Sequence, residues 1–247
     1  TAFVTAAVPA LATVTETLQL TSTVKTVSPE RLMHLEALYN NPLTPVNSLF
    51  TAAQSGAGAS TSLYGEAAIN TGPSAATVGY STIAYTTSNK FPNSNGDQIN
   101  FSKRFSYTTS ITTATAAMPA GYTYRSAYGK ATANGQLATK GIGFQFTNSG
   151  FVQILAHNGT TLTTTNSSLA SSAVSSGNNM HLFEVQNYGD GTVELFVDGV
   201  SYGTTTGGPT GLSTGTNNKL VMEVASDGTN GTNHLATITK LKIIPSI

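Results

Sequence analysis

The chain contains neither cysteine nor tryptophan. Without cysteine there can be no disulfide, thiolate metal site, iron–sulfur cluster or thiol nucleophile. Without tryptophan the strongest ring for stacking on a sugar or a cation is missing. Charge is also scarce: 9% of the 247 residues are Asp, Glu, Lys or Arg, against roughly 25% in ordinary soluble domains. Eleven basic residues balance eleven acidic ones, and no Lys/Arg cluster occurs, so the phosphate backbone of a nucleic acid finds nothing to hold. No apolar run is long enough to cross a membrane as a helix. The stretch Ala2–Leu20 is apolar-rich, but Thr residues and Pro9 interrupt it and no basic start precedes it, so it does not read as a secretory signal.

Hydroxyls and amides replace the missing charge. Thr is β-branched and suits the exposed face of a strand. The clearest organisation lies at 181–200, where two runs of period-two character flank Asn187-Tyr188-Gly189-Asp190-Gly191. The glycines of that turn can take positive φ without a Cβ clash. Leu182, Val185, Val193, Leu195 and Val197 are its apolar residues, and Asp198-Gly199 turns the chain again, so a three-stranded meander is predicted.

Upstream, residues 1–27 alternate loosely and read as an extended arm. Ser28-Pro29-Glu30 combines a hydroxyl cap, proline at the first helical position and an acid at the positive helix end. Leu32, Leu35, Leu38 and Tyr39 follow at helical spacing until Asn40-Asn41-Pro42 stops the helix. This apolar stripe packs on the body or serves as an assembly surface for a partner. Residues 1–50 therefore read as an arm with one short helix, and the small, uncharged stretch 51–62 as a linker. From Leu63 to the C-terminus, about ten strand-like segments alternate with Gly, Asn and Pro clusters and no helix intervenes. The expected fold is an all-β, two-sheet antiparallel jelly-roll sandwich over 63–247.

The run His181–Gly199, followed by strands near Lys219–Ala225 and His234–Ile244, resembles the later half of the concanavalin A-like lectin/glucanase superfamily, which includes laminin-G-like domains. That resemblance implies a jelly roll and leaves function to the site. Glucanases of the superfamily use paired carboxylates in a Glu-x-Asp-x-x-Glu pattern, which is absent here. Glu194 and Asp198 share a strand face but are spaced too far apart for a retaining pair; Asp198 reads as a turn residue and Glu194 as an exposed polar position. No Gly-x-Ser-x-Gly elbow occurs. The chain is not expected to be an enzyme.

Lectins of the superfamily bind hydroxyls through Asp, Asn and backbone groups beside an aromatic ring. On that pattern the sugar-contact candidates are Tyr188, Asp190 and Asn187 in the meander turn; the alternative for the tyrosines is a ring buried under a loop with its hydroxyl wet. No cofactor is expected. A calcium ion of the kind held by the metal-dependent lectins would have Asp227, Asn230 and Asn233 as oxygen donors, although Asx-Gly turns explain the same residues without metal. Asn158, Asn166 and Asn230 begin glycosylation sequons.

The absence of a catalytic pattern, the neutral hydroxyl-rich surface and the N-terminal extension together suit a non-enzymatic structural subunit of a virion surface. Such a subunit resembles the decoration or cement proteins of bacteriophage capsids and the domains of virion fibres. It would be anchored by its arm, homo-oligomeric and docked on a larger protein lattice. The alternative expectation is a carbohydrate-binding module or lectin with glycans as partners. Either places the protein on a virion surface or outside a cell.

Overall fold

The structure is a computed structural model, and it describes residues 50–55, 60–63, 67–70, 79–86, 94–95, 98–113, 117–132, 136–175, 177, 179–213, 218–227 and 235–245. The expected helix with Leu32, Leu35, Leu38 and Tyr39 lies outside the described residues. Sixteen strands are described: β1 (Phe50–Ser55), β2 (Ser60–Leu63), β3 (Ala67–Asn70), β4 (Gly79–Thr86), β5 (Ser94–Asn95), β6 (Gln98–Ile99), β7 (Phe105–Thr113), β8 (Tyr122–Ala131), β9 (Leu137–Phe146), β10 (Phe151–His157), β11 (Leu162–Ala170), β12 (Met180–Asn187), β13 (Val193–Val197), β14 (Val200–Thr205), β15 (Asn218–Ser226) and β16 (Leu235–Pro245). Among the described residues the only helical turn is a 3-10 turn at Ser171–Ala173.

Two seven-stranded antiparallel sheets face each other, in the orders β1-β4-β15-β8-β9-β10-β11 and β14-β13-β12-β7-β16-β3-β2. The chain changes sheet at β1→β2, at β3→β4, between β4 and β7 by way of the small β5-β6 pair, and at β7→β8, β11→β12, β14→β15 and β15→β16, which gives the jelly-roll sandwich its crossing connections. Within the segment 51–62, expected to be a linker, the described residues are strands instead: Phe50–Ser55 pairs along β4 and Ser60–Leu63 pairs with β3. Its Ala, Ser and Thr residues are small enough for either role, and pairing with a neighbouring strand decides between them. The sandwich thus begins before residue 63.

The meander forms as its pattern predicts, with β12, β13 and β14 paired in order. Gly189 and Gly191 both take φ +90 in the first turn. Asp198 (φ 52) and Gly199 (φ 81) form a two-residue turn between Val197 and Val200, with positive φ at both central positions as a type I′ hairpin requires. Leu182, however, faces solvent at 37% exposure, and Phe183 takes the buried place beside Val185. The strand alternation runs through 183, 185 and 187, so Leu182 falls on the outer face.

The core is aromatic. Phe144 of the first sheet stacks on Phe183 of the second with ring centroids 4.5 Å apart and planes 4° apart. Phe105 meets Tyr128 edge-on at 5.5 Å, and the Tyr107 hydroxyl donates across the sheets to the Ser126 carbonyl at 3.2 Å. Each buried ring contributes roughly 1.5–3 kcal/mol through area removed from water. On β8 the residues Tyr122, Tyr124 and Tyr128 point into this core. Thr123, Arg125 and Ala127 therefore point away from it, and the outer face of the first sheet is built from such positions.

Candidate functional site

On that outer face the registers set five polar residues in one row across five adjacent strands. Glu223 of β15 lies opposite Arg125 of β8, Arg125 opposite Gln145 of β9, Gln145 opposite Gln153 of β10, and Gln153 opposite Asn166 of β11. Side-chain bonds join every neighbour in the row. Arg125 Nη1 is paired with the Glu223 carboxylate. Its Nε donates to Gln145 Oε1 at 3.1 Å, Gln145 Nε2 donates to Gln153 Oε1 at 2.8 Å, and Gln153 Nε2 donates to Asn166 Oδ1 at 3.0 Å.

The chain of bonds has a direction, which Arg125 imposes. Guanidinium can only donate, so the amide oxygen of Gln145 must face it, and each following amide is oriented in turn. Each glutamine uses one N–H and one lone pair within the row. Its second N–H and second lone pair remain for another partner, and bonds aligned head to tail polarise one another. The row spans four interstrand steps, about 19 Å.

Burial grades along it. Glu223 is 1% exposed and the Arg125 side chain 14%. Desolvation pushes the Glu223 carboxyl up to about 7, outweighing the Arg125 guanidinium, which pulls it down. The adjoining row on the same face is apolar and small (Val221, Ala127, Gly143, Leu155), and Ala127 packs with Leu155 and Leu137. Toward the β11 edge the face opens: Gln145 and Gln153 are half-buried and Asn166 is exposed. Phe151, two residues before Gln153 on the same face, is 47% exposed. At the other end of β10, His157 is buried and its Nδ1 accepts from Gly159 N at 3.1 Å; burial pushes the imidazole below the usual histidine range.

The candidates drawn from the meander turn are placed differently. Asn187 is fully buried, and its Nδ2 donates to the carbonyls of Phe101 and Lys103 at 2.9 and 2.8 Å. It closes the loop before β7 and offers nothing to an outside ligand. Tyr188 is half-buried, with the Arg104 guanidinium 4.7 Å from its ring centroid, so one face of the ring is already occupied. Its hydroxyl donates to Glu194, and this bond to an acceptor raises the phenol above its usual range. Ser201 Oγ donates to the other Glu194 oxygen at 2.5 Å. Glu194 is thus engaged within the sheet, and not simply an exposed polar position. Asp190 is exposed; its carboxylate accepts from Thr192 N at 2.8 Å, and that bond holds it below the usual carboxylate range.

Asp198 does sit in the turn, where Oδ1 accepts from Leu182 N at 2.7 Å and Oδ2 lies 2.8 Å from His181 Nδ1. Of the calcium donors, Asp227 is exposed and its backbone N–H bonds Gly121 O at 2.8 Å, while Asn230 and Asn233 lie outside the described residues.

Sequence reasoning missed the row of five because its members are scattered over a hundred residues. Each occupies an outward position on its own strand, and only pairing registers bring them together. The one local signal was polar residues alternating with buried ones in Arg125 and Gln145. Phe151 was passed over because nothing in the sequence says which aromatic residues a strand leaves outside.

No family model matches the chain, and no curated protein matches it in sequence. Among solved structures it is similar to the binding domain of botulinum neurotoxin DC in complex with rat synaptotagmin II, with a TM-score of 0.50 and 9% identity over 84% of this chain and 47% of that one. It is also similar to alginate lyase A1-II′ of polysaccharide lyase family 7 (0.47, 15% identity, 78% of this chain and 85% of that one), and to the endo-β-1,4-glucuronan lyase of the fungus Trichoderma reesei (0.48, 8% identity, 82% and 90%). The chain spans less than half the length of the toxin binding domain. The likeness to the toxin domain bears on the fold alone, and it agrees with the two-sheet jelly-roll sandwich that the strand order gives.

Proposed function

We propose that this protein is a carbohydrate-binding module whose ligand lies across β9, β10 and β11, over Gln145, Gln153 and Asn166, with Phe151 as its stacking ring. The observation that carries this reading is the directional row of amides. Vicinal sugar hydroxyls each donate and accept, and an amide with one N–H and one lone pair to spare meets both needs at once. The row is held from its buried end by Glu223 and Arg125, so the amides are oriented before a ligand arrives, which lowers the cost of binding. An exposed phenylalanine two residues from Gln153 supplies the apolar surface that a sugar's C–H face requires. The row's length admits several sugar units, which favours a chain over a monosaccharide.

Binding without cleavage is the simpler reading of this face. Its one carboxyl group in the row, Glu223, is buried against Arg125 and stands away from the open end. The expectation of a virion-surface structural subunit rests on composition and on the N-terminal segment, which lies outside the described residues, so it takes second place.

A glycan array followed by calorimetry on the best ligand tests the proposal. Phe151→Ala and Gln153→Ala should each weaken binding about 3–10-fold, from a lost stacking contact or hydrogen bond of about 0.7–1.4 kcal/mol. Tyr188→Ala should leave the affinity unchanged. A protein that binds no glycan on the array, or one whose binding depends on Tyr188 and ignores Phe151 and Gln153, would overturn the proposal.

A further inference from the structure

The four-residue turn between β10 and β11, joining His157 to Leu162, assembles chemistry that the ligand-binding reading does not use. Asn158-Gly159 is its leading pair. Gly159 takes φ +113, open to glycine and strained for other residues. Its N–H donates to His157 Nδ1 at 3.1 Å. The Asn158 side-chain oxygen accepts from the backbone N–H groups of Thr160 and Thr161, both at 2.9 Å. The stem of Lys140 packs beside Gly159, and its ammonium donates to the Thr210 carbonyl at 2.5 Å.

We propose that Asn158-Gly159 is a self-modifying site at which His157 promotes loss of ammonia from the Asn158 side chain. Three roles are filled by groups already in contact. The Gly159 nitrogen is the nucleophile, His157 Nδ1 is the base that takes its proton, and the Thr160 and Thr161 N–H groups hold the oxygen on which negative charge develops. A bond forms from Gly159 N to Asn158 Cγ, giving a tetrahedral centre with its oxyanion at Oδ1. The bond from Cγ to Nδ2 then breaks, and ammonia leaves with the proton returned by His157. Water opens the resulting five-membered imide, leaving an aspartyl or isoaspartyl linkage at position 158. The net change consumes one water and releases one ammonia, with no oxidation or reduction. Because its Nδ1 accepts, the imidazole is neutral with its proton on Nε2, the form a base needs. Burial favours that form at neutral pH.

The chain offers its own references, because Asn95, Asn134 and Asn230 also precede glycine. The full-length protein is incubated at neutral pH, native or in concentrated urea, then digested, and deamidation at each Asn-Gly pair is followed by mass spectrometry. In urea the four pairs should react at similar rates. In the native protein Asn158 should react at least about tenfold faster than in urea, a conservative share of what a positioned base provides. His157→Gln, checked for folding by circular dichroism, should remove most of that excess. A native rate at Asn158 equal to or below the rate in urea overturns the proposal without recourse to any variant. So does an excess that survives in folded His157→Gln.

Discussion

Glu223 makes a prediction whose sign is opposite to that of an ordinary paired carboxylate. It lies 1% exposed beneath Arg125, and desolvation raises it from an ordinary 4.5 to about 7 in the folded protein. Between those two values the folded chain holds a proton that the unfolded chain has released. Stability is therefore fully present below 4.5 and is lost as pH rises through 7. At about 1.4 kcal/mol per tenfold difference in proton affinity, the loss amounts to about 3 kcal/mol. For a chain of this size that corresponds to a fall in Tm of roughly 6–12 °C.

His157 contributes with the opposite sign over an overlapping range, because burial lowers its pKa and its stabilisation fades as pH falls. Glu223→Gln separates the two. Glutamine keeps the shape of the protonated acid and does not titrate, so the difference in stability between wild type and Glu223→Gln isolates the carboxyl. Urea denaturation from pH 4.5 to 8 should show wild type losing about 3 kcal/mol relative to the variant. A difference that stays flat, or that grows in favour of wild type as pH rises, would mean that the Arg125 charge outweighs desolvation, and the reasoning would fail.

Three further substitutions test the framework. A Cβ at Gly143 would press into the Ser126 carbonyl oxygen and come within 3.0 Å of Ala127 Cα, both backbone atoms of the adjoining strand, so Gly143→Ala should cost about 2–3 kcal/mol in urea denaturation. Asn187→Ala removes a buried amide that serves two carbonyls and should cost about 2–4 kcal/mol, with hydrogen-exchange protection falling first in the loop 100–104. Asp198→Ala loses the bond from Leu182 N while keeping a left-handed φ that alanine resists; a loss of about 1–2 kcal/mol is expected, and Asp198→Asn should recover part of it.

Much of the fold was readable along the chain. The Gly189, Gly191 and Asp198-Gly199 turns, and the strands Tyr122–Ala131 and Phe151–His157, are local signals: positive φ where glycine is supplied and apolar residues at every second position. Strand β11 escaped because Leu162–Ala170 is mostly Thr, Ser and Asn, without an apolar alternation to announce it. At a sheet edge a strand buries little, so its pattern is weak. The first residues of the sandwich, β1 and β2, escaped for a similar reason: small polar residues are shared by linkers and strands.

The site divides along the same line. Sequence alone determined that there is no thiol, no indole and little charge, and so confined recognition to amides, hydroxyls and the remaining rings. It pointed to Asn187 as a ligand group, yet the amide is turned inward to close a loop, because alternation in β12 puts 183, 185 and 187 on the buried face. Glu223, Arg125, Gln145, Gln153 and Asn166 carry no shared motif. A strand's register is set by pairing with neighbours distant in sequence, and a slip of one residue would send any of the five to the opposite face. Only the tertiary structure could therefore decide that they form one hydrogen-bonded row.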